Sequence, residues 1–519
     1  MRLVFPFCRA LLALAAVAFA TAAVGQAPKP AERIDRSANL RFVWVAGPAG
    51  FDPPLAKNQF QNTAYAWPVF DALVRLDVAG NVIPDLATAW SFSPDKKALT
   101  FTLRQGVRFT DGSDFNAAVA AKSLTRTLKS PTSLLSGQLR GVESFEAPDA
   151  KTLVVRLNVP DENILYTFAT SAGMIVSGKA LDAGVNLDLA PVGSGPYKLV
   201  SSGSQGATYE RNEDYFDKSQ NQFAKVVISP VVDATSRLNA ILTGQADAGL
   251  FQADQQLLAR TEPMVRSGKF TVHTFLGPNS LPLWLNTKVK PFDHPKVRQA
   301  MSLAIDRDAI SQGIQSGACR PAAQPLQPGV VGHDEALRPP KRDVQRAKAL
   351  LQEAGVSPFS FDALVGPQEP LASVAVALKA QFKDVGITMN IVTMPNPSVR
   401  PQFRSGSHPA MLYTLSVPAP DSASIVDAIY MSPDNPGGVS SEFGQAVAAA
   451  RKAAIGSRDR ETLFRAVSKL AYQESTHIFV CWSPNVIVAR KGLIGVDKTP
   501  YLNALPIPDI RTYAATLDR

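Results

Sequence analysis

The chain is poor in the residues that perform covalent or metal chemistry, and each shortage removes a class of function. It has three cysteines and five histidines in 519 residues. Cys8, Cys319 and Cys481 form no C-x-x-C pair. His273, His294, His333, His408 and His477 form no H-E-x-x-H or other close ligand pair. No metal site is therefore expected from sequence-local ligands. The chain lacks a G-x-S-x-G nucleophile elbow. It also lacks a G-x-x-x-x-G-K phosphate loop and a glycine-rich dinucleotide fingerprint. Asp306 and Asp308 flank Arg307 and read as charge pairing on a solvated helix face, not as an acid–base pair. No catalytic residue, metal or cofactor is assigned, which favours a binding protein over an enzyme. Charged residues make up 19% of the chain and its formal net charge is +9. That modest excess is not gathered into runs, which argues against a nucleic-acid groove.

Long apolar runs are scarce as well. Ala10 to Ala20 is one, preceded by Arg2 and Arg9 and followed by Ala20-Thr21-Ala22. It is too short to span a bilayer, for which about 20 residues are needed. Charged head, apolar core and A-x-A site together read as an export leader over residues 1–22. Cys8 precedes the apolar core, so it is not placed as a lipid-attachment cysteine. The exported protein is expected to be soluble and monomeric. In an oxidising compartment Cys319 and Cys481 either pair or stay as buried free thiols, and spacing alone does not decide between them.

What remains is long enough for two or three domains at about 150 residues each. Leu40 to Ala46 is a β-rich run, followed by a loop through Phe51-Asp52-Pro53-Pro54. Tyr65 to Leu73 is helix-like and carries Trp67 and Phe70. Leu99, Phe101 and Leu103 alternate with polar residues, as do Leu153, Val155 and Leu157, which marks half-buried strands. A helix over Asn116 to Leu128 lies between them, so this region reads as a compact α+β unit. Gly193-Ser194-Gly195 reads as a tight turn, because the lysine and spacing of a phosphate loop are missing.

Further along, Leu281 to Asn286 reads as a buried strand. Asp293 stands at a helix N-cap position, Pro295 fits the first turn, and Val297, Met301, Ala304 and Ile305 form one apolar stripe. Helix–strand units follow: Val344 to Leu351 ends at Gly355, and Leu371 to Val385 ends at Gly386, ahead of a strand through Ile387, Met389 and Ile391. Pro395 to Pro401 reads as a proline-rich loop. Two helices, Phe443 to Ala454 and Arg460 to Gln473, precede strands over Ile478 to Trp482 and Val486 to Ala489.

Several of these segments resemble one family, in that family's order. They are Phe70-Asp71-Ala72-Leu73-Val74-Arg75-Leu76, Pro84 to Trp90, Leu103 to Ser113, Gly193-Ser194-Gly195-Pro196-Tyr197, Pro291 to Arg307 and Arg490 to Val496. Together they are similar to extracytoplasmic solute-binding proteins of the peptide/nickel (family 5) class, the ligand receptors of ABC importers. The resemblance implies an α/β fold: a two-lobed clamshell of the periplasmic binding protein type, with an extra α+β subdomain inserted in the first lobe. The implied division is a leader at 1–22, first lobe at 37–70, 191–282 and 489–519, inserted subdomain at 71–190, and second lobe at 283–488. It implies a peptide or similarly sized organic ligand held in the interlobe cleft and sealed by hinge closure. The implied partners are the ligand and the transmembrane permease subunits, and the implied location is the periplasm. An exported hydrolase, or a sensing or chaperone-like clamshell uncoupled from transport, are the rival readings.

Aromatic and polar residues at loop–strand junctions supply the candidate cleft contacts: Phe51, Tyr65, Trp284, Asn286, Tyr413, Ser416 and Trp482. The resemblance also exposes a departure. Peptide-binding relatives carry a carboxylate ahead of a D-P-D-like helix start to hold the peptide ammonium. Here Ser416 stands in its place, and no Asp or Glu occurs from Val385 through Pro420. With Arg400, Arg404 and His408 shortly upstream, a neutral or anionic ligand is the expectation from sequence.

Overall fold

In the computed structural model the described residues are 33–55, 59–133, 135–253, 255–275, 280–356, 358–414, 421–502, 505–506 and 509–517. The leader and Ser416 lie outside them. Among the described residues no helix is long and apolar enough to cross a membrane.

Two mixed sheets organise the chain. The first has seven strands in the order Phe270–Phe275, Asn485–Arg490, Ala248–Gln252, Asn39–Trp44, Lys225–Pro230, Gly206–Arg211, Tyr197–Gly203. The second has six: Arg320–Pro321, His477–Trp482, Ser280–Leu285, Ala410–Leu412, Phe359–Val365, Ile387–Thr393. Strands of both sheets bury apolar residues on each face. In the second, Leu283, Val365 and Ile478 pack on one side, while Trp284, Leu364 and Phe479 pack on the other. A separate four-stranded antiparallel sheet, with Ala98–Leu103 and Thr152–Leu157 at its centre, forms the inserted subdomain with helix Ala117–Lys129. Asn116 caps that helix by accepting from the Val119 N–H at 3.0 Å.

The chain passes between the sheets twice. Phe275 pairs with Asn485 in the first sheet, and Ser280 pairs with Trp482 in the second. The first sheet thus runs to Phe275 and resumes at Asn485, and the second runs from Ser280 to Trp482. Ser280–Leu285 is buried throughout and Asn485–Arg490 nearly so, so neither shows the alternation of a half-buried strand. Beside the second crossing Cys319 and Cys481 form a disulfide, with Cα atoms 5.7 Å apart.

Other local expectations shift for identifiable reasons. The first helix is Gln59–Ala66 and stops ahead of Pro68, which disfavours helical geometry in the residue before it. The cap of helix Pro295–Ala304 is His294, whose Nδ1 accepts from the Lys296 N–H, because Pro295 takes the first helical position. Residues 396–404 are helical despite Pro401. Arg307 is not on a solvated face. Its guanidinium is buried and donates to the carbonyls of Phe479 and Ser302, while Asp306 caps helix Arg307–Gln315. The Gly193-Ser194-Gly195 segment is a close-packed turn: a Cβ at Gly193 or Gly195 would lie 2.1 or 2.5 Å from the Val69 backbone.

The C-terminal segment returns to the first lobe and closes a buried charge cluster there. Arg511 Nη2 donates to Asp71 Oδ1 at 2.9 Å and to the carbonyls of Phe70 and Trp67. Arg75 pairs with Asp509 at 3.3 Å and lies 3.6 Å from Asp85. Three carboxylates thus face two guanidiniums. Burial and the neighbouring Asp71 push the Asp85 carboxyl up to about 7, against the pull of Arg75 and Arg511. A folded-state pKa raised above the ordinary 3.8 gives stability that is full below pH 4 and declines as pH rises through 7. His477, buried and pushed down to about 3, acts with the opposite sign, losing stability as pH falls below 6.5. The Asp85 contribution is therefore read as a difference. The stability of wild type minus that of Asp85→Asn, from urea titrations, should fall steadily between pH 4 and 7. A flat difference would contradict the proton assignment.

Candidate functional site

Between the inserted subdomain and the second lobe lies a cavity of about 360 Å³. Gly80, Asn81 and Tyr166 line it from the subdomain, and Val330, Asp421 and Arg460 from the second lobe. Asp421 caps helix Ser422–Tyr430: its Oδ1 accepts from the N–H groups of Ala423 and Ser424 at 3.0 and 3.1 Å. Its Oδ2 is buried and has no hydrogen-bond partner among the described residues. Burial raises the Asp421 carboxyl above its ordinary value, opposed by the Ser424 and Ala423 hydrogen bonds and by the charge of Arg460. Such an oxygen is costly to leave unpaired. A donor from outside the fold would satisfy it.

Arg460 is buried and anchored from three sides. It donates to the carbonyls of Ala450 and Ala453 at 3.2 and 3.0 Å, and to Asn163 Oδ1 of the subdomain. Next to Asn163, Glu162 Oε2 accepts from the Ile455 N–H at 2.8 Å and Oε1 pairs with Lys96 at 2.7 Å.

The residues singled out from sequence are distributed as follows. Phe51 and Tyr65 are buried in the core of the first lobe and subdomain, the Tyr65 hydroxyl donating to the Ala46 carbonyl at 2.8 Å. Trp284, Tyr413 and Trp482 come together on one face of the second sheet, with Trp284 Nε1 donating to the Tyr413 carbonyl at 3.3 Å. Trp482 adjoins the second crossing, and its ring meets that of His333 at 5.8 Å. Asn286 closes a turn by accepting from the Lys288 N–H. None of these six lines the cavity that holds Asp421.

The basic residues upstream are already engaged. Arg400 and Arg404 both grip the buried Asp434 carboxylate, Arg400 Nε at 2.7 Å, and Arg400 also lies over the Tyr413 ring. His408 hydrogen-bonds Ser407. The two arginines thus share one counter-ion within the lobe. Asp421 escaped notice because it follows the acid-free stretch by one residue and reads simply as a helix cap. Its second oxygen is a property of packing that no local pattern displays. Among the described residues no group of three His, Cys, Asp or Glu side chains is placed to hold a metal.

Residues 81–437 match the family model for bacterial extracellular solute-binding proteins, family 5. The chain belongs to that family. Among curated relatives it is 28% identical over 405 residues to di/tripeptide-binding protein 2 of Pseudomonas aeruginosa, covering 71% of this chain and 74% of the relative. It is 29% identical over 413 residues to heme-binding protein A of Haemophilus influenzae, covering 73% and 74%. Among solved structures, the family member resembles the periplasmic binding protein DppA of Helicobacter pylori in complex with the peptide STSA. There the TM-score is 0.77 at 21% identity over 93% of this chain and 99% of that one. NikA of Brucella suis, in complex with Fe(III)-EDTA, gives a TM-score of 0.81 at 20% identity over 92% and 100%. These likenesses carry the two-lobed architecture with its inserted subdomain.

Proposed function

We propose that this family 5 protein is an exported, monomeric receptor that captures a peptide or similarly sized organic ligand between its lobes and presents the closed form to an ABC permease. Family membership supports the receptor role. Two adjacent crossings between the sheets suit a hinge, and ligand contacts made only on closure favour the closed state. The observation that carries the ligand reading is the unpartnered Asp421 Oδ2 in the interlobe cavity. A ligand with an ammonium group satisfies it, and a buried charge-assisted hydrogen bond is stronger than a neutral one.

The test is calorimetry with trialanine and N-acetyl-trialanine as matched probes, on wild type and Asp421→Asn. Asparagine caps helices as well as aspartate, so the fold is retained while the charge is lost. Trialanine should bind wild type, with acetylation or Asp421→Asn each weakening it by about tenfold or more. Equal binding of both probes would sink the ammonium reading and leave the receptor reading standing. Failure of every member of a wider peptide and organic-solute panel would count against the receptor reading itself.

A further inference from the structure

The contacts that join the inserted subdomain to the second lobe are made by buried polar groups from positions far apart in the chain. Glu162 and Asn163 are about 94% and 93% buried, as their 6% and 7% exposures imply, and Arg460 is 4% exposed. Ile455 lies between helices Ser441–Lys452 and Arg458–Glu474, where its N–H has no helical acceptor, and it donates to Glu162 instead. On the opposite side Lys96, at the tip of a subdomain hairpin, holds the other Glu162 oxygen. Asn163 is held by Asp161, whose Oδ1 accepts from its backbone and side-chain N–H groups at 3.0 and 3.1 Å. Each side of the contact is therefore organised within its own body before the two meet. Little side-chain freedom is lost when they do.

We propose that Glu162 and Asn163 form a clasp on Ile455 and Arg460 that holds a closed population in the ligand-free protein and sets how readily the cleft opens. The four residues lie far in sequence from the passages between the sheets, so swinging the lobes apart separates them. Opening exchanges two well-placed hydrogen bonds, one to a carboxylate and one from a guanidinium, for bonds to water. Ile455 and Arg460 also line the cavity that holds Asp421, so the effect of the clasp on closure is read in the ligand-free protein.

The experiment measures distances between spin labels at Lys129→Cys and Lys469→Cys, in a Cys8→Ser background, by pulsed dipolar spectroscopy. Both sites are exposed, one ending the subdomain helix and the other on a second-lobe helix. Without added ligand, the parent protein should show a population at the distance of this structure. Glu162→Ala/Asn163→Ala should raise the open-to-closed ratio by roughly tenfold or more, while Glu162→Gln, which keeps an acceptor for Ile455, shifts it less. Melting curves check that the variants fold. If the double variant is unfolded, Asn163→Ala alone carries the same expectation in direction. An unchanged distribution in a folded variant overturns the proposal. So does a parent protein with no closed population at all.

Discussion

Replacing Cys319 and Cys481 together by alanine should lower the unfolding free energy of the protein by about 2–5 kcal/mol. The bond closes a loop with a sequence separation of 162. On the chain-entropy account, tying so long a loop restricts the unfolded chain by an amount near the top of that range. Both residues are buried, Cys481 within the second sheet and Cys319 just before strand Arg320–Pro321. Removing the two sulfurs therefore also thins the apolar cluster they share with Val480 and Ile310. Urea titration of wild type and the double variant measures the difference. A loss below about 1 kcal/mol would mean that the folded sheet already holds these residues together without the bond. Because the disulfide lies inside the second lobe, the first lobe's own transition should be less affected, and tryptophan fluorescence from Trp284 and Trp482 should report the larger change.

The second large effect is expected at Arg511. Arg511→Met should cost about 3–5 kcal/mol, the range found when one partner of a buried ion pair is removed. Its guanidinium faces Asp71 and Asp85 and caps two carbonyls in a region sealed from solvent. Methionine fills much of the volume and leaves the carboxylates without their cation. The electrostatic origin is separable from packing by a double-mutant cycle. In Arg511→Met/Asp71→Asn the second change should cost much less than it does alone, giving a coupling energy above about 1 kcal/mol. Additive losses would show that Arg511 acts mainly through its contact with the Trp67 ring, 4.9 Å away.

Much of the architecture was legible where burial is one-sided. The alternation of Leu99, Phe101 and Leu103 with threonines located a subdomain strand, and the stripe from Val297 to Ala304 located a helix of the second lobe. Family-like segments then assembled these pieces into two lobes and an insertion. Legibility failed where burial is uniform or polar. Ser280–Leu285 and Asn485–Arg490 look alike as apolar runs, so the sheet each joins was not readable. Arg307 looked like a surface charge because its acceptors are main-chain carbonyls, which have no sequence signature. The aromatic candidates were chosen by residue type at junctions, yet type does not say which way a ring points, and Phe51 and Tyr65 turn inward. Glu162 and Arg460 are separated by about three hundred residues and meet only through the packing of whole bodies.

The order of the strands also sets the order in which the molecule can be completed during synthesis. Everything between Ser280 and Trp482 is contiguous, so the second sheet has all its strands once Trp482 has emerged. The first sheet does not. Asn485–Arg490 lies between Ala248–Gln252 and Phe270–Phe275, and Asp509 and Arg511 finish the charge cluster beyond it. Until Asn485–Arg490 is made, one interior position of that sheet stands open and Phe270–Phe275 has no neighbour to pair with. The half of the protein that begins first is therefore the half that finishes last, and its unpaired strand edges are what a chaperone would have to shield in the interval.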